Sequence, residues 1–347
     1  MDWNKKRVLV TGGASFIGSH LVDALVEKGA QVKVVDNLSS GKLENIQSHV
    51  DRHEIEFLQL DLLVPGVADR VVEEMEVVFH LAADHGGRGY VDLHQAACAT
   101  NLALDGVLIR AAYRARVEKF VFASSGCVYP NYIQTNPQEE IYLTEKMVGP
   151  PYDADNTYGW AKLMAEFTLQ AYYKDFGMKS ANCRLFTVYG ERGVENHAVI
   201  AMIARAFIRQ DPFEVWGTGE QIRNWTHVSD IVSGMILAAE KIEDGTAVNL
   251  GTTERTQVMD AVKEIIRYVG YSPKIETHSD KPTGPYNRVA DNSLGKRLLG
   301  WEPKVRFLDG FHQTADWYFR VKKRDEVRAI LEKGLTERGS IERSVAR

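Results

Sequence analysis

Residues 8–36 carry the pattern that most narrows what this chain can fold into. A short apolar run, Val8-Leu9-Val10, leads into Thr11-Gly12-Gly13-Ala14-Ser15-Phe16-Ile17-Gly18. The spacing then predicts a helix over 17–28, a second strand over 31–35 and an acidic residue, Asp36, at the end of that strand. Strand, glycine turn, helix, strand and acid at these intervals describe a βαβ unit with parallel strands. Glycines in the turn let backbone N–H groups come close to an anion, and the helix directs the positive end of its dipole at the same charge. The pyrophosphate of a dinucleotide suits such a turn. A carboxylate at Asp36 accepts hydrogen bonds from a ribose diol and repels a 2′-phosphate, so NAD is expected in preference to NADP. Ser15 departs from the pattern, which places glycine at 12, 15 and 18, and puts a hydroxyl beside the cofactor.

The alternation continues beyond this unit. Further strands are expected at 55–58, 77–81, 120–123 and 180–185, with helices between them, notably at 100–115 and 157–176. Short, largely apolar strands separated by helices indicate a parallel sheet covered on both faces, and right-handed crossovers make it a doubly wound α/β (Rossmann) fold. After 186 glycine, proline and tryptophan become frequent, a helix is expected at 198–209, and 247–250 reads as one more strand. These shifts divide the chain into an NAD-binding Rossmann domain (1–186 and about 226–255), a smaller interleaved substrate-binding lobe (about 187–225 and 256–320) and a charged tail (321–347) with too few apolar residues to anchor it.

With 347 residues, 44% hydrophobic and 26% charged, the chain can bury a large core without staples. Its net charge of −5 offers no basic excess for a nucleic-acid polymer. Cys98, Cys127 and Cys183 are sparse, odd in number and without metal spacing, which fits a reducing compartment and no metal site. The run before Gly12 is too short for a secretory leader or a membrane span, so a cytoplasmic location without membrane contact is expected.

Tyr158 and Lys162 stand four apart on the helix expected at 157–176 and therefore share a face. A free phenol, with pKa ~10, is a poor base at neutral pH, and a neighbouring ammonium favours its phenolate. With the glycine loop, Asp36, Asp61-Leu62, His80-Leu81-Ala82-Ala83, Asn101, Ser124-Ser125, Asn196 and Arg223, this pair makes residues 6–320 resemble the extended short-chain dehydrogenase/reductase superfamily, in its nucleotide-sugar epimerase/dehydratase branch. The resemblance implies that Tyr158 is the catalytic base, that Lys162 holds the nicotinamide ribose, and that Ser124 or Ser125 bonds a sugar hydroxyl. It implies cofactor contacts from Gly12, Ser15, Phe16, Ile17, Gly18, Asp36, Asn37, Asp61 (at the adenine), Leu62, Leu81, Ala82, Ala83 and Asn101. Arg223 and Arg288 would clamp the diphosphate of a nucleoside diphosphate sugar, with Gly87, Arg88 and Asn196 also at the substrate. The family commonly forms homodimers through helices equivalent to 100–115 and 157–175.

Dehydratases of this branch carry Asp-Glu, and decarboxylases a glutamate, where this chain has Gly126-Cys127. The stretches 82–90, 124–130 and 213–217 are most similar to the GDP-mannose 3,5-epimerases, in which the cysteine is an acid/base beside the ketone of a transient 4-keto sugar. The lysine that works with it there corresponds to His197, and the apolar residue at position 88 is an arginine. A UDP-sugar 4-epimerase acting by rotation of the keto sugar is the alternative, and Arg88 would pair with the carboxylate if that sugar were a uronic acid. A non-catalytic nucleotide-sensing module is a distant third, disfavoured by the intact Tyr158/Lys162 pair.

Overall fold

The computed structural model describes residues 1–332. Its centre is a seven-stranded sheet with every pairing parallel. The first six strands are β1 (Arg7–Thr11), β2 (Gln31–Asp36), β3 (Ile55–Gln59), β4 (Val77–His80), β5 (Lys119–Ser125) and β6 (Ser180–Leu185). The strand Asp244–Leu250 completes the order Asp244–Leu250, β6, β5, β4, β1, β2, β3. The doubly wound fold read from the sequence is therefore present. The chain runs outward from β1 through β2 to β3 and then returns to β4 on the other side of β1. The crevice beyond the carboxyl ends of β1 and β4 is the topological switch point at which such folds bind ligands.

Both faces of the sheet are buried because successive strand residues point to opposite sides. Val8 and Val10 belong to one core cluster, with Leu21, Val22, Ile231 and Met235. Leu9 belongs to the other, with Leu104, Leu108 and Leu169. The first cluster is closed by helices Phe16–Glu27 and Val228–Lys241, the second by Asn101–Arg114 and Asn156–Phe176. A further core joins helices Ala198–Phe207, Val258–Val269 and Phe307–Val321 to the strand Phe213–Trp216.

The tail differs from the sequence expectation. Helix Arg324–Glu332 buries Val327 completely in that last core, Leu331 packs against it, and the Arg324 guanidinium lies 5.4 Å from the Phe207 ring centroid. Val327 and Leu331, four apart on one helical face, are enough to dock the helix although most of its other residues are charged. The remainder of the expected tail, 333–347, lies outside the described residues. Among the described residues no helix is long and apolar enough to cross a membrane.

Candidate active site

The turn after β1 is built for close approach. Gly12 has φ +70°, and a Cβ there would lie 2.8 Å from the backbone nitrogen of Ala82, just beyond β4. A Cβ on Gly18 would come within 2.1 Å of the Gly12 carbonyl oxygen. Only glycine allows the first turn of helix Phe16–Glu27 to sit on the loop. Ser15 needs no such freedom. It is the N-cap residue with φ −78°, and its hydroxyl donates to the Gly12 carbonyl at 2.6 Å, tying the loop to itself. The first turn has no acidic residue, so its free amides and dipole face the crevice uncompensated.

Asp36 is buried at the end of β2 and accepts from the amides of Ala14 (3.0 Å) and Leu38 (2.8 Å), one on each carboxylate oxygen. A carboxylate oxygen can accept more than one hydrogen bond, which is what a ribose diol requires. Asp61 is exposed; it accepts from the Leu63 amide at 2.9 Å and from the Asn37 side chain at 3.3 Å. Leu62, Leu81 and Ala82 direct their side chains into or against the cores, leaving backbone at the crevice. Asn101 is fully buried and clamps the loop after β4 with both ends of its amide, accepting from the Asp84 amide (2.7 Å) and donating to the Asp84 carbonyl (2.9 Å). Ala83 lies between. The anion-accepting turn and the carboxylate at the end of the second strand fit NAD.

Tyr158 and Lys162 project from helix Asn156–Phe176 toward the end of β5, both buried. The Lys162 ammonium lies 4.4 Å from the Phe122 ring centroid and 5.8 Å from that of Tyr158. Burial pushes the Tyr158 phenol well above its ordinary range; Cys127 and Asp105 add to this, and a hydrogen bond with the Ser125 hydroxyl opposes it. Burial pushes Lys162 down, against the attraction of Asp105. These side chains alone therefore leave Tyr158 a neutral phenol, contrary to the expectation that the ammonium by itself draws out the phenolate. The desolvation of both groups outweighs a charge at this separation.

The two serines separate. Ser125 faces Tyr158 and accepts from the Cys127 amide at 3.1 Å. Ser124 points to the opposite side of the strand and donates to Glu166, whose carboxylate is gripped by Arg184 at 2.7 Å. That buried network takes Ser124 away from any sugar, which leaves Ser125 for the role assigned to either.

Beside Tyr158 lies a concentration of arginines. Arg288 donates to the Cys127 sulfur (3.3 Å), to the Gln134 side-chain carbonyl (2.8 Å) and to Asp155 (3.0 Å). Arg88 reaches the same Asp155 oxygen at 2.7 Å and also pairs with Asp92. Burial alone would raise the Asp155 carboxyl, but the two guanidiniums hold it below the usual range. Arg223 donates to the carbonyls of Ile222 (2.8 Å) and Thr283 (2.9 Å), and burial followed by repulsion from Arg288 and Arg88 pushes its guanidinium down. A cavity of about 650 Å³ opens between Arg88, Asp155 and the loop 280–286. Three guanidiniums around Asp155 and Asp92 leave an excess of positive charge, which suits an anionic ligand.

Gly87 touches the Asn196 backbone, where any Cβ would fall 1.7 Å from the carbonyl oxygen; the buried Asn196 side-chain oxygen has no hydrogen-bond partner in the structure. His197 follows at the N-cap of helix Ala198–Phe207, and burial lowers its pKa to about 4, so the ring is neutral at pH 7. Its ring centroid is 5.5 Å from that of His85, which in turn stands edge-on 5.7 Å from the Tyr158 ring. The sequence pattern does not single out His85, Asp155, Gln134 or Asp105. His85 lies within the glycine-rich stretch 84–89, which is the one local signal that points to it.

The sequence pattern of the NAD dependent epimerase/dehydratase family matches residues 8–251. GDP-mannose 3,5-epimerase 1 of Oryza sativa subsp. indica is 31% identical over 327 residues, 93% of this chain and 83% of that protein. UDP-glucuronic acid decarboxylase 4 of Arabidopsis thaliana is 31% identical over 306 residues, 88% of this chain and 66% of that protein. The crystal structure of UDP-glucose 4-epimerase with UDP-glucose from Thermotoga maritima has TM-score 0.80 at 30% identity, covering 90% of this chain and 99% of that one. UDP-glucuronic acid 4-epimerase from Bacillus cereus, in complex with UDP-glucuronic acid and NAD, has TM-score 0.82 at 26% identity, covering 91% and 100%. The chain belongs to the NAD dependent epimerase/dehydratase family, a nucleotide-sugar branch of the extended short-chain dehydrogenases/reductases. It is an NAD-dependent enzyme of that family.

Proposed function

We propose that this enzyme epimerises a nucleoside diphosphate sugar at C3 or C5 through a transient 4-keto sugar, in the manner of the GDP-mannose 3,5-epimerases. The observation that carries the reading is the Cys127 thiol, packed with Tyr158 and bonded by Arg288, at a place where no carboxyl side chain stands at 124–127. The glycine turn and Asp36 would hold NAD, which would supply reversible hydride exchange at C4. Tyr158, once its proton has been lost with the added positive charge of bound NAD favouring the phenolate, would accept the C4 hydroxyl proton, with Ser125 bonding the same oxygen. The ketone acidifies the neighbouring C–H bonds, and Cys127 and His197 exchange those protons. The neutral His197 ring can accept a proton, but burial opposes its cation and no carboxylate among the described residues offsets that, which makes Cys127 the principal group. Arg223 and Arg288 hold the diphosphate. That same weakness of His197, in place of a lysine, favours the second reading, inversion at C4 by rotation of the keto sugar, possible without any C–H exchange. Arg88 lends that reading less support, since Asp92 and Asp155 already occupy it.

Asp36 sets the choice of cofactor. NAD should bind at least ~10-fold more tightly than NADP, the scale of one or two charge-assisted hydrogen bonds. Asp36→Ala should shrink that preference and weaken both, because it also releases the amides of Ala14 and Leu38. Titration calorimetry reads this; equal affinities in the unmodified protein would refute the assignment.

The exposed apolar side chains Leu102, Val107, Trp160 and Met164 lie on helices Asn101–Arg114 and Asn156–Phe176, which pack together. We infer that two copies join there. Met164→Glu should convert the dimer to a monomer in sedimentation at micromolar concentration, and a monomeric unmodified protein would contradict the dimer.

A further inference from the structure

Behind the Tyr158–Lys162 pair lies a buried polar chain that the proposed chemistry does not use. It begins at the Ala82 amide, which donates to the Thr11 hydroxyl at 3.2 Å. Thr11 Oγ1 lies 2.7 Å from His80 Nδ1, and His80 Nε2 lies 3.0 Å from Asp105 Oδ1. Burial lowers the His80 pKa, so the ring is neutral and carries one proton. An ionised carboxylate only accepts, which places that proton on Nε2, leaves Nδ1 as acceptor and turns the Thr11 hydroxyl toward it. Every donor in the chain then points toward Asp105. Its other oxygen, Oδ2, is buried and has no hydrogen-bond partner among the described residues, and Asp105 is only 2% exposed.

An anion held this way, with a free buried oxygen, needs a counter-charge. Lys162 is the buried cation whose charge Asp105 favours. His80 and Lys162 flank the same Phe122 ring, the former at 5.9 Å between centroids and the latter at 4.4 Å. Lys162 is 1% exposed, and Asp105 is the charge that acts on it in opposition to burial. The other titratable groups around them include His80 on β4, Tyr158 on the same helix as Lys162, His85 against the Tyr158 ring, Cys127 after β5 and Cys98 on the helix Gln95–Ala99.

We propose that Asp105 is a positioning residue for the Tyr158–Lys162 pair: anchored through His80 and Thr11 to the backbone beyond β4, its carboxylate is the buried counter-ion of the Lys162 ammonium. Lys162 thereby keeps its charge in a site that excludes water, and the anchor sits at the same crevice wall that receives the cofactor. The inference rests on reading Tyr158 and Lys162 as the proton-transfer pair, but its test needs no substrate.

The NAD-saturated protein is prepared with lysine labelled with ¹³C at Cε, and the Lys162 resonance is identified by its loss in Lys162→Arg. Asp105→Asn retains the shape and a hydrogen bond to His80 while removing the charge. The pH midpoint of the Lys162 resonance should fall by ~1 unit or more, the effect of deleting a close opposite charge in a desolvated site. Asp105→Ser serves as the second variant if the first does not fold. A fall smaller than this in both would overturn the proposal, whatever either variant does to stability or turnover. A substrate that the unmodified enzyme fails to turn over would count against the proposed function and leave this titration unaffected.

Discussion

Tyr158→Phe should lower turnover by at least ~10²-fold, the usual contribution of a positioned general base. The substitution removes one oxygen and keeps the ring that packs against Tyr90, Val91 and Cys98, so the site and the cofactor should remain. The hydroxyl it deletes is the group bonded by Ser125 and pushed up by burial. The loss should appear in the first half-reaction: mixing the NAD-loaded variant with substrate should give no transient absorbance of reduced cofactor. NAD affinity should change little. Turnover within a few-fold of the unmodified enzyme would remove Tyr158 from the role of base.

Cys127→Ser separates the two routes to an inverted sugar. Serine keeps the size and the contact with Arg288 but is far too weak an acid to exchange a proton beside a ketone, where a thiol, with reference pKa ~8.5, can. The variant should still oxidise C4, visible as reduced cofactor, while incorporation of solvent hydrogen at C3 or C5 falls by ~10²-fold or more. A variant that inverts its sugar at the unmodified rate would return Cys127 to packing and substrate contact, and inversion at C4 would be the better reading.

Much of this site is legible in the sequence because its signals are local. The glycine turn and Asp36 belong to one βαβ unit, and Tyr158 and Lys162 to one helical face, so period and spacing are sufficient to read them. Ser124 and Ser125 cannot be told apart that way. Adjacent strand residues point to opposite faces, and which face carries the substrate depends on Glu166 and Arg184, from a later helix and strand. The buried chain from Thr11 through His80 to Asp105 joins three elements, and the arginines meeting at Asp155 come from residues 88 and 288. Such pairings exist only once the strand order is known. The docked helix at 324–332 is hidden for another reason: its docking face is only Val327 and Leu331, in a segment otherwise rich in charge.

Proton exchange beside a 4-ketone, at Cys127, is the step on which the proposed reaction turns. The most direct measurement is NMR of the sugar after incubating the NAD-loaded enzyme in deuterated water with GDP- and UDP-hexoses and uronic acids in turn. Exchange through the thiol predicts deuterium at C3 or C5 of the inverted product, absent from the product of Cys127→Ser. Inversion at C4 with no deuterium at any carbon would contradict it.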